Sequence, residues 1–272
     1  MDLNQGITTT ESKDQGIRYR LDLEYDGTDF SGWQLQPETR TVQGCLEAAV
    51  ERLFGEHATV IAAGRTDAGV HATGQVAHFT VTRERSPDVI VQALNALLPP
   101  DVRVKRAMIT ESDFHARFSA LWRKYCYRIA VGPVAIGRSY VWTSPFRLDF
   151  KAMRQAERYI IGEYVFRAFA HENPEERHYL SSVYRAEWIE SGAIGEFQIE
   201  ANRFLHGMVR LLVGTFVDIG RGKKQPDDMA EILASQDVRK SGPKAPASGL
   251  TLTGVGYEPW IPPSGTDATV RA

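Results

Sequence analysis

The chain has 272 residues, enough for one large domain or two moderate ones with a substantial hydrophobic core. Apolar residues make up 43% and charged residues 24%, values typical of a soluble globular protein, and no run approaches the ~18 apolar residues of a membrane span. The formal net charge of −2 excludes a uniformly basic protein, and the first residues lack the apolar segment of a signal peptide, so we expect a cytoplasmic protein without membrane contact.

In chain order, residues 1–16 are polar and are predicted to form a disordered tail, and residues 17–120 form a first α+β half. Residues 18–25 alternate apolar and charged side chains, as a half-buried strand does. The remaining elements of this half are a helix from Thr41 to Gly55, strands at 59–61 and 75–81, a helix at 86–98 and a strand at 102–109. The predicted order is β-α-β-β-α-β.

Residues 121–261 repeat this plan and form the second half, followed by a second disordered tail at residues 262–272. The predicted elements are a strand at 124–131, a helix at 149–162, strands at 182–189 and 196–202, an apolar helix at 205–219, a short helix at 227–234 and a closing strand at 250–257. Two similar halves predict an α+β fold with a joined, antiparallel-rich central sheet and helices on one side. We expect the open sheet faces to form a cleft.

The stretch around which the chain is organised is AGRTDAGVHATGQVAHF, residues 63–79. It places Asp67 between two predicted strands, with Gly64, Gly69 and Gly74 available for tight turns or close approach to a partner. Thr-Asp-Ala-Gly taken alone is equally an ordinary polar turn. The alternative is a reactive carboxylate held on a loop of a rigid scaffold.

Two regions are basic despite the acidic average. Residues 101–128 contain seven Arg or Lys against three acidic residues, and residues 203–224 contain five against one. This distribution favours a positively charged face, such as a basic cleft that binds nucleic acid. The alternative is that the charges spread over several solvated faces.

Further candidates are single residues in otherwise structural patterns. Arg210 lies in an apolar helix, where it either extends to water or pairs with a carboxylate across the cleft. Tyr125 and Tyr127 share one face of a strand, either as core residues or with one of them over a pyrimidine ring. Cys45 and Cys126 are interpreted as core thiols, and the histidines lack the spacing of a metal site, so no metal is expected.

The segment FHARFSA, residues 114–120, interleaves aromatic and basic side chains. Such side chains suit base stacking and phosphate contacts in an RNA channel, and a packed loop explains the pattern equally well. The residues predicted to contact RNA here are Phe114, His115, Arg117 and Phe118.

Five ordered blocks resemble those of the TruA-type tRNA pseudouridine synthases, over residues 18–258. They are EYDGTDFSGWQ, GRTDAGVHATGQVAHF, FHARFSA with RKYCYRI, FLHGMVRLLVG and ASGLTLTGVGY. The resemblance implies isomerisation of uridine to pseudouridine in tRNA at anticodon stem-loop positions 38 to 40, without a cofactor, by a homodimer. It implies the following roles: Asp67 as the catalytic carboxylate, Tyr125 stacked on the base, Arg65 in place of the flipped nucleotide, Arg210 paired with the aspartate and Leu250 as an apolar wall.

One block departs from the family's pattern, since Val165 occupies the position of an acidic residue and a long loop, residues 171–181, follows. The departure concerns tRNA contacts and the choice of uridine.

Two other functions remain open at this stage. One is an RNA-binding protein without catalysis. The other is a glycosidase-like hydrolase, which normally needs a second carboxylate about 5–5.5 Å from the first.

Overall fold

A computed structural model describes residues 16–172 and 178–262. The two tails predicted to be disordered lie outside these residues, except for Gly16 and Pro262 at their inner ends. Part of the loop at residues 171–181 also lies outside them. Within the described residues, no helix is long and apolar enough to cross a membrane.

The first half has the predicted order of elements. They are β1 (Ile17–Tyr25), α1 (Val42–Phe54), β2 (Ile61–Ala62), β3 (His71–Val81), α2 (Pro87–Leu97) and β4 (Val102–Thr110). Both caps of α1 agree with the sequence, since Thr41 accepts a hydrogen bond from the backbone N–H of Gly44 and Gly55 adopts a left-handed φ of 72°. The structure differs in the strands beside Asp67, where β2 has two residues and β3 begins at His71 rather than at residue 75.

The second half repeats the order with two additional short strands. Its elements are β5 (Trp122–Val131), β6 (Trp142–Ser144), α3 (Phe150–Glu157), β7 (Gly162–Val165), β8 (Leu180–Ser191), β9 (Ile194–Ala201), α4 (Met208–Gly220), α5 (Asp228–Ser235) and β10 (Leu250–Gly256). The sequence did not predict β6 and β7, and it extended α3 beyond its end at Glu157. It also began α4 too early, because Gly207 has a left-handed φ of 77° that excludes it from the helix.

All ten strands belong to one sheet, in the main order β4-β1-β3-β10-β5-β9-β8-β7, with β2 on β3 and β6 on β5. Every main pairing is antiparallel except that between β3 and β10, which joins the two halves in parallel. This junction depends on Gly74, since a Cβ there would lie 2.4 Å from the carbonyl oxygen of Thr253. Because β10 lies between β3 and β5, the loop carrying Asp67 and the strand carrying Tyr125 are close neighbours.

One sheet face and all five helices contribute to a single hydrophobic core. Tyr19, Leu21 and Leu23 of β1 are buried in it, whereas the alternate side chains of β1 are polar and partly exposed. Tyr125 and Leu250, which line the main cavity, belong to the same core. The cavity is therefore bounded in part by residues of the core, together with the first turn of α4.

Candidate active site

Asp67 lies on the loop between β2 and β3, here named the Asp67 loop, residues 63–70. Its ends are fixed by backbone hydrogen bonds: the N–H of Ala63 donates to Val76 (2.7 Å) and the N–H of Val70 donates to Asp67 (3.2 Å). Gly69 has a left-handed φ of 75°, which a residue with a side chain rarely adopts. The loop is thus a defined turn that projects the Asp67 side chain.

The segment after β1 lies under this loop and supports it. The N–H of Trp33 donates to the carbonyl of Thr66 (3.0 Å), and the N–H of Gly69 donates to Phe30 (3.3 Å). Gly27 allows the closest approach, since a Cβ there would lie 2.0 Å from the carbonyl oxygen of Val70. This explains physically why the block EYDGTDFSGWQ accompanies the aspartate block, a role that sequence reasoning did not identify.

A buried polar network holds the side of the loop nearest β3. The hydroxyls of Tyr25 and Thr66 share a hydrogen bond of 2.8 Å, and the amide of Gln75 donates to the Tyr25 hydroxyl (3.2 Å) and to the carbonyl of Gly64 (2.8 Å). Burial raises the pKa of Tyr25 to about 12, so its hydroxyl stays protonated. The residues flanking Asp67 are therefore held through fully buried side chains.

The Asp67 carboxylate is held by cations on one oxygen. Arg210 Nη1 lies 2.8 Å and Lys244 Nζ 3.0 Å from Oδ2, while the other oxygen, Oδ1, has His206 Nε2 at 3.5 Å. Burial raises the pKa of Asp67, but the hydrogen bonds and charges of Lys244 and Arg210 outweigh burial and hold it below its usual range. Asp67 is therefore an ionised carboxylate, and Oδ1 is the oxygen with the more distant contact.

Arg210 reaches Asp67 from the first turn of α4. Its Nε donates to the carbonyl of Ala245 (2.7 Å), and the N–H of Ala245 donates back to the Arg210 carbonyl (3.0 Å). These bonds fix the guanidinium, so it pairs with the carboxylate across the cleft and does not extend to water. Lys244, the second cation, was not recognised in the sequence, because nothing local shows which surface its Pro- and Ala-rich segment covers.

Tyr125 on β5 forms the floor of the site together with Leu250. The Tyr125 ring packs edge to face against Phe204, with centroids 5.0 Å apart, and the side chain is 8% exposed. Its hydroxyl would lie 3.7 Å from a Cβ at Gly64. Burial raises its pKa above the usual range, and the charge of Asp67 raises it further. Tyr125 is thus a neutral phenol beside an anionic carboxylate.

The cavity above these residues has a volume of about 1040 Å³. Six Arg or Lys side chains line it, and among the described residues that line it Asp67 is the only carboxylate; the cations are Arg65, Arg117, Arg123, Arg203, Arg210 and Lys244. The cleft is basic, as predicted, but only two cations from each of the two basic regions of the sequence line it, and Arg65 and Lys244 come from outside both regions. Its size accommodates a nucleotide and its surroundings.

The four residues predicted to contact RNA in FHARFSA divide into two pairs. Arg117 and Phe118 line the cavity, and Phe118 is 76% exposed, with the Arg117 guanidinium 5.7 Å from its ring centroid. Phe114 packs against Tyr257 at 5.0 Å, and His115 packs against His78 at 4.8 Å. The structure does not bring Phe114 and His115 to the cavity, because both rings are used in packing around β3.

Arg123 is a structural residue of the cleft that the sequence gave no reason to single out. Its guanidinium donates to four backbone carbonyls, those of Ala63, Arg117, Ala120 and Asn202, at 2.6–3.0 Å. Arg123 therefore connects the start of the Asp67 loop to the FHARFSA loop and to the residue after β9.

Arg65 and Val165 lie in different surroundings. Arg65 is exposed at the cavity, and its side chain makes no hydrogen bond or ion pair with the part of the chain that the structure describes. Val165 is exposed on β7, where its carbonyl accepts a hydrogen bond from Gln236 (2.7 Å). Residues 173–177 of the following loop lie outside the described residues.

Comparisons with known proteins agree on one family. A sequence model described as tRNA pseudouridine synthase matches residues 23–119 and 156–258. Three proteins named tRNA pseudouridine synthase A are similar to this chain. That of Paramagnetospirillum magneticum is 45% identical over 88% of this chain and 95% of its own length. That of Chloroflexus aurantiacus is 44% identical over 89% and 91%, and that of an Exiguobacterium species is 40% identical over 89% and 98%.

A solved structure of a Cbf5-Nop10-Gar1 complex matches with a TM-score of 0.32 and 12% identity, covering 74% of this chain and 54% of that chain. That likeness carries no argument about this protein.

Proposed function

The chain belongs to the tRNA pseudouridine synthase family and isomerises uridine to pseudouridine in tRNA, and we propose that Asp67 is the carboxylate that carries out this reaction. The observation that supports this role is an ionised carboxylate that lines a basic cleft, with Arg210 and Lys244 close to Oδ2 and with Oδ1 less closely held. We propose positions 38 to 40 of the anticodon stem-loop as the substrate uridines, on the resemblance described above.

The reaction rearranges bonds within one nucleotide. The C1′–N1 bond breaks, the uracil turns, C5 bonds to C1′, the proton on C5 leaves and N1 gains a proton. Substrate and product are isomers, so the balance requires no oxidant or reductant. The protein therefore has to stabilise charge at C1′, retain the detached base and move protons.

Asp67 stabilises the positive charge that develops at C1′. Breaking a glycosidic bond builds positive character on the sugar, as in glycoside hydrolysis, and a nearby carboxylate opposes that charge or captures the sugar. Because Arg210 and Lys244 both contact Oδ2, the oxygen directed at the nucleotide is Oδ1. Attack on the sugar, attack on C6 of the base and removal of the C2′ proton all use this same oxygen.

Tyr125 and Leu250 retain the detached uracil. Both are almost fully buried and line the cavity, so they present a ring face and an apolar wall to the base. Exclusion of water here matters because attack by water at C1′ leaves an abasic site. The Tyr125 hydroxyl lies near the reacting base in this arrangement. Because it is a neutral phenol, it can take the C5 proton only while it gives up its own proton, so that the proton lost by C5 and the proton gained by N1 balance.

Arg65 is proposed to fill the space that the flipped nucleotide leaves. Extruding a base costs a few kcal/mol of stacking and pairing. An exposed guanidinium at the cavity, without an intramolecular partner among the described residues, is free to offset part of this cost by stacking.

The FHARFSA loop is proposed to bind the tRNA beside the flipped nucleotide. Arg117 and Phe118 are proposed to contact the nucleotides next to the flipped uridine, since one carries charge and the other exposes an aromatic face. Phe114 and His115 support this loop because their rings pack against Tyr257 and His78. Their contribution to RNA binding is therefore proposed to be indirect, through the position of the loop.

A hydrolase would use a second carboxylate as its general acid. None lies among the described residues that line the cavity besides Asp67. The cleft thus favours a reaction in which the base stays bound and returns to the sugar.

We further propose that the protein is a homodimer in the cytoplasm, on the family resemblance and on the location of tRNA. Size-exclusion chromatography with light scattering tests the first point, and a monomer that modifies tRNA at the full rate would contradict it.

The test of the proposed function is pseudouridine mapping, by carbodiimide labelling, on unmodified tRNA incubated with the purified protein. We expect new pseudouridine at positions 38 to 40 and none after incubation with Asp67→Ala. Pseudouridine elsewhere would contradict the proposed site, and free uracil would indicate hydrolysis.

A further inference from the structure

Two cations contact the same oxygen of Asp67, and one of them has no role in the family resemblance. Arg210 Nη1 lies 2.8 Å and Lys244 Nζ 3.0 Å from Oδ2. One contact of this kind is enough to neutralise a carboxylate. A second one on the same oxygen adds an orientational constraint, because the carboxylate can then no longer rotate without losing a charge-assisted hydrogen bond.

The backbone that carries Lys244 is fixed on both sides. The N–H of Gly242 donates to the Thr215 hydroxyl (2.8 Å), and the N–H of Ala245 donates to the Arg210 carbonyl (3.0 Å). Pro243 packs directly on α4, since a Cβ at Gly214 would lie 1.7 Å from its carbonyl oxygen. Lys244 is therefore presented to Asp67 by a segment held against α4.

Lys244 is also partly desolvated, which strengthens its interaction. Its side chain is 25% exposed and that of Asp67 is 24% exposed, so their ion pair is screened less than a surface pair. The charged or titratable groups that face or influence Asp67 come from four elements: Arg210 from α4, His206 from the residues before α4, Lys244 from the segment after α5, and Tyr125 from β5, with His171 farther away.

We infer that Lys244 is a positioning residue for the isomerisation: it holds the Asp67 carboxylate ionised and turned so that Oδ1 faces the nucleotide. This role rests on the proposed function of Asp67. Arg210 alone would hold Oδ2 through one N–H and leave the carboxylate free to turn. With Lys244 present, two cations of the protein hold Oδ2, and Oδ1, which has His206 Nε2 at 3.5 Å, is the less closely held oxygen that remains for the substrate.

The alternative role of Lys244 is a phosphate contact, since its ammonium lines the cleft. The two roles differ in what they change. A phosphate contact sets tRNA affinity and its salt dependence. A positioning residue affects the rate of pseudouridine formation in the tRNA complex and the pH below which Asp67 gains a proton.

The test compares Lys244→Met and Lys244→Gln with Lys244→Arg. Lys151→Met, at an exposed position of α3, is the control for loss of a surface lysine. Single-turnover rates of pseudouridine formation are measured from pH 3 to pH 8 with saturating tRNA, so that the acidic limb of the wild type is included. The Kd for tRNA is measured separately at two salt concentrations.

Both neutral variants are expected to lower the saturated rate at pH 7 by roughly 10- to 100-fold, because a small misplacement of a reacting group costs about that much. Loss of one neighbouring cation raises the pKa of Asp67, so the acidic limb of the profile moves up by about 1 pH unit. Lys244→Arg is expected to restore most of the rate and the wild-type position of the acidic limb of the pH–rate profile. Lys151→Met is expected to leave both unchanged.

A weaker Kd with a smaller salt dependence and an unmoved acidic limb would assign Lys244 to phosphate binding and overturn the inference. If both neutral variants keep the wild-type saturated rate and the wild-type acidic limb of the pH–rate profile, the inference is overturned as well. If Asp67→Asn keeps the wild-type rate, the proposed function of Asp67 fails instead, whatever the Lys244 variants show.

Discussion

Replacement of Arg210 by methionine removes the side chain that joins the two halves at the active site. The variant loses the hydrogen bond from Nη1 to Asp67 (2.8 Å) and that from Nε to the carbonyl of Ala245 (2.7 Å). Met keeps most of the apolar stem that packs in α4. The variant therefore reports on the guanidinium rather than on the packing of the helix.

The expected loss of stability follows from the groups that lose their hydrogen bond or ion pair with Arg210. The Ala245 carbonyl loses a charged donor in a partly buried place, which costs about 1–3 kcal/mol. Breaking a buried ion pair costs about 3–5 kcal/mol when the remaining charge has no partner, but Asp67 retains Lys244, so the loss is smaller. We expect a decrease of about 2–4 kcal/mol in the free energy of unfolding, or roughly 5–15 °C in Tm.

The loss depends on pH in a defined direction. Arg210 and Lys244 hold the pKa of Asp67 below its value in the unfolded chain, about 3.9. Because the pKa of Asp67 is lower in the folded than in the unfolded chain, its ion pairs stabilise the fold fully above the unfolded-state pKa. This stabilisation is lost as the pH falls through the folded-state pKa. The difference between wild type and Arg210→Met is therefore largest near neutral pH and shrinks below about pH 4.

Thermal unfolding followed by circular dichroism at pH 7 and at pH 3.5 measures both effects, with Arg210→Lys as the matched control. Lysine retains the charge but reaches one of the two acceptors, so its loss should be about half that of methionine. A Tm for Arg210→Met within 2 °C of wild type at pH 7, or a loss equally large at both pH values, would refute the account.

Three other predictions concern single residues. Tyr125→Phe should fold and bind tRNA normally, because the structure shows no hydrogen bond from its hydroxyl to a described residue, and its turnover should fall; full turnover would exclude the hydroxyl as proton acceptor. Arg65→Ala should lose turnover with near-normal tRNA affinity in a filter-binding assay, whereas a parallel loss of affinity would indicate docking. Gly74→Ala should lower stability by at least about 1–3 kcal/mol in urea unfolding, since its Cβ would overlap Thr253; an unchanged midpoint would contradict the close β3–β10 junction.

The regular part of the fold could be predicted because it depends on local patterns. Alternation in residues 18–25 and the caps Thr41 and Gly55 predict β1 and α1 from neighbouring residues alone. The short strands β6 and β7 could not be predicted, because three or four residues carry no distinct period and pair only where a neighbouring strand lies exposed.

The junction of the two halves could not be predicted either. Repetition of the β-α-β-β-α-β order indicates a joined sheet, but it does not say that β3 and β10 form the parallel pair at which the halves join. That arrangement depends on Gly74 and Thr253, which are distant in sequence and fit only in three dimensions.

The site was predicted in part. The resemblance identified Asp67, Tyr125, Arg65, Arg210 and Leu250, and the structure brings all five to one cavity. Lys244 and Arg123 were missed for the same physical reason, since each acts through acceptors that the sequence does not place nearby: a carboxylate of the other half for Lys244, and backbone carbonyls for Arg123. Only tertiary structure shows such contacts.

The most direct test of the central claim is the single-turnover rate of pseudouridine formation on tRNA by wild type and by Asp67→Asn, with tRNA affinity measured in parallel. Asparagine keeps the shape of the side chain and can still accept a hydrogen bond from Arg210, so the cleft and its tRNA binding should persist. The account predicts that Asp67→Asn binds tRNA at least as tightly as wild type and forms no pseudouridine. Pseudouridine formation by Asp67→Asn at a rate close to wild type would contradict it.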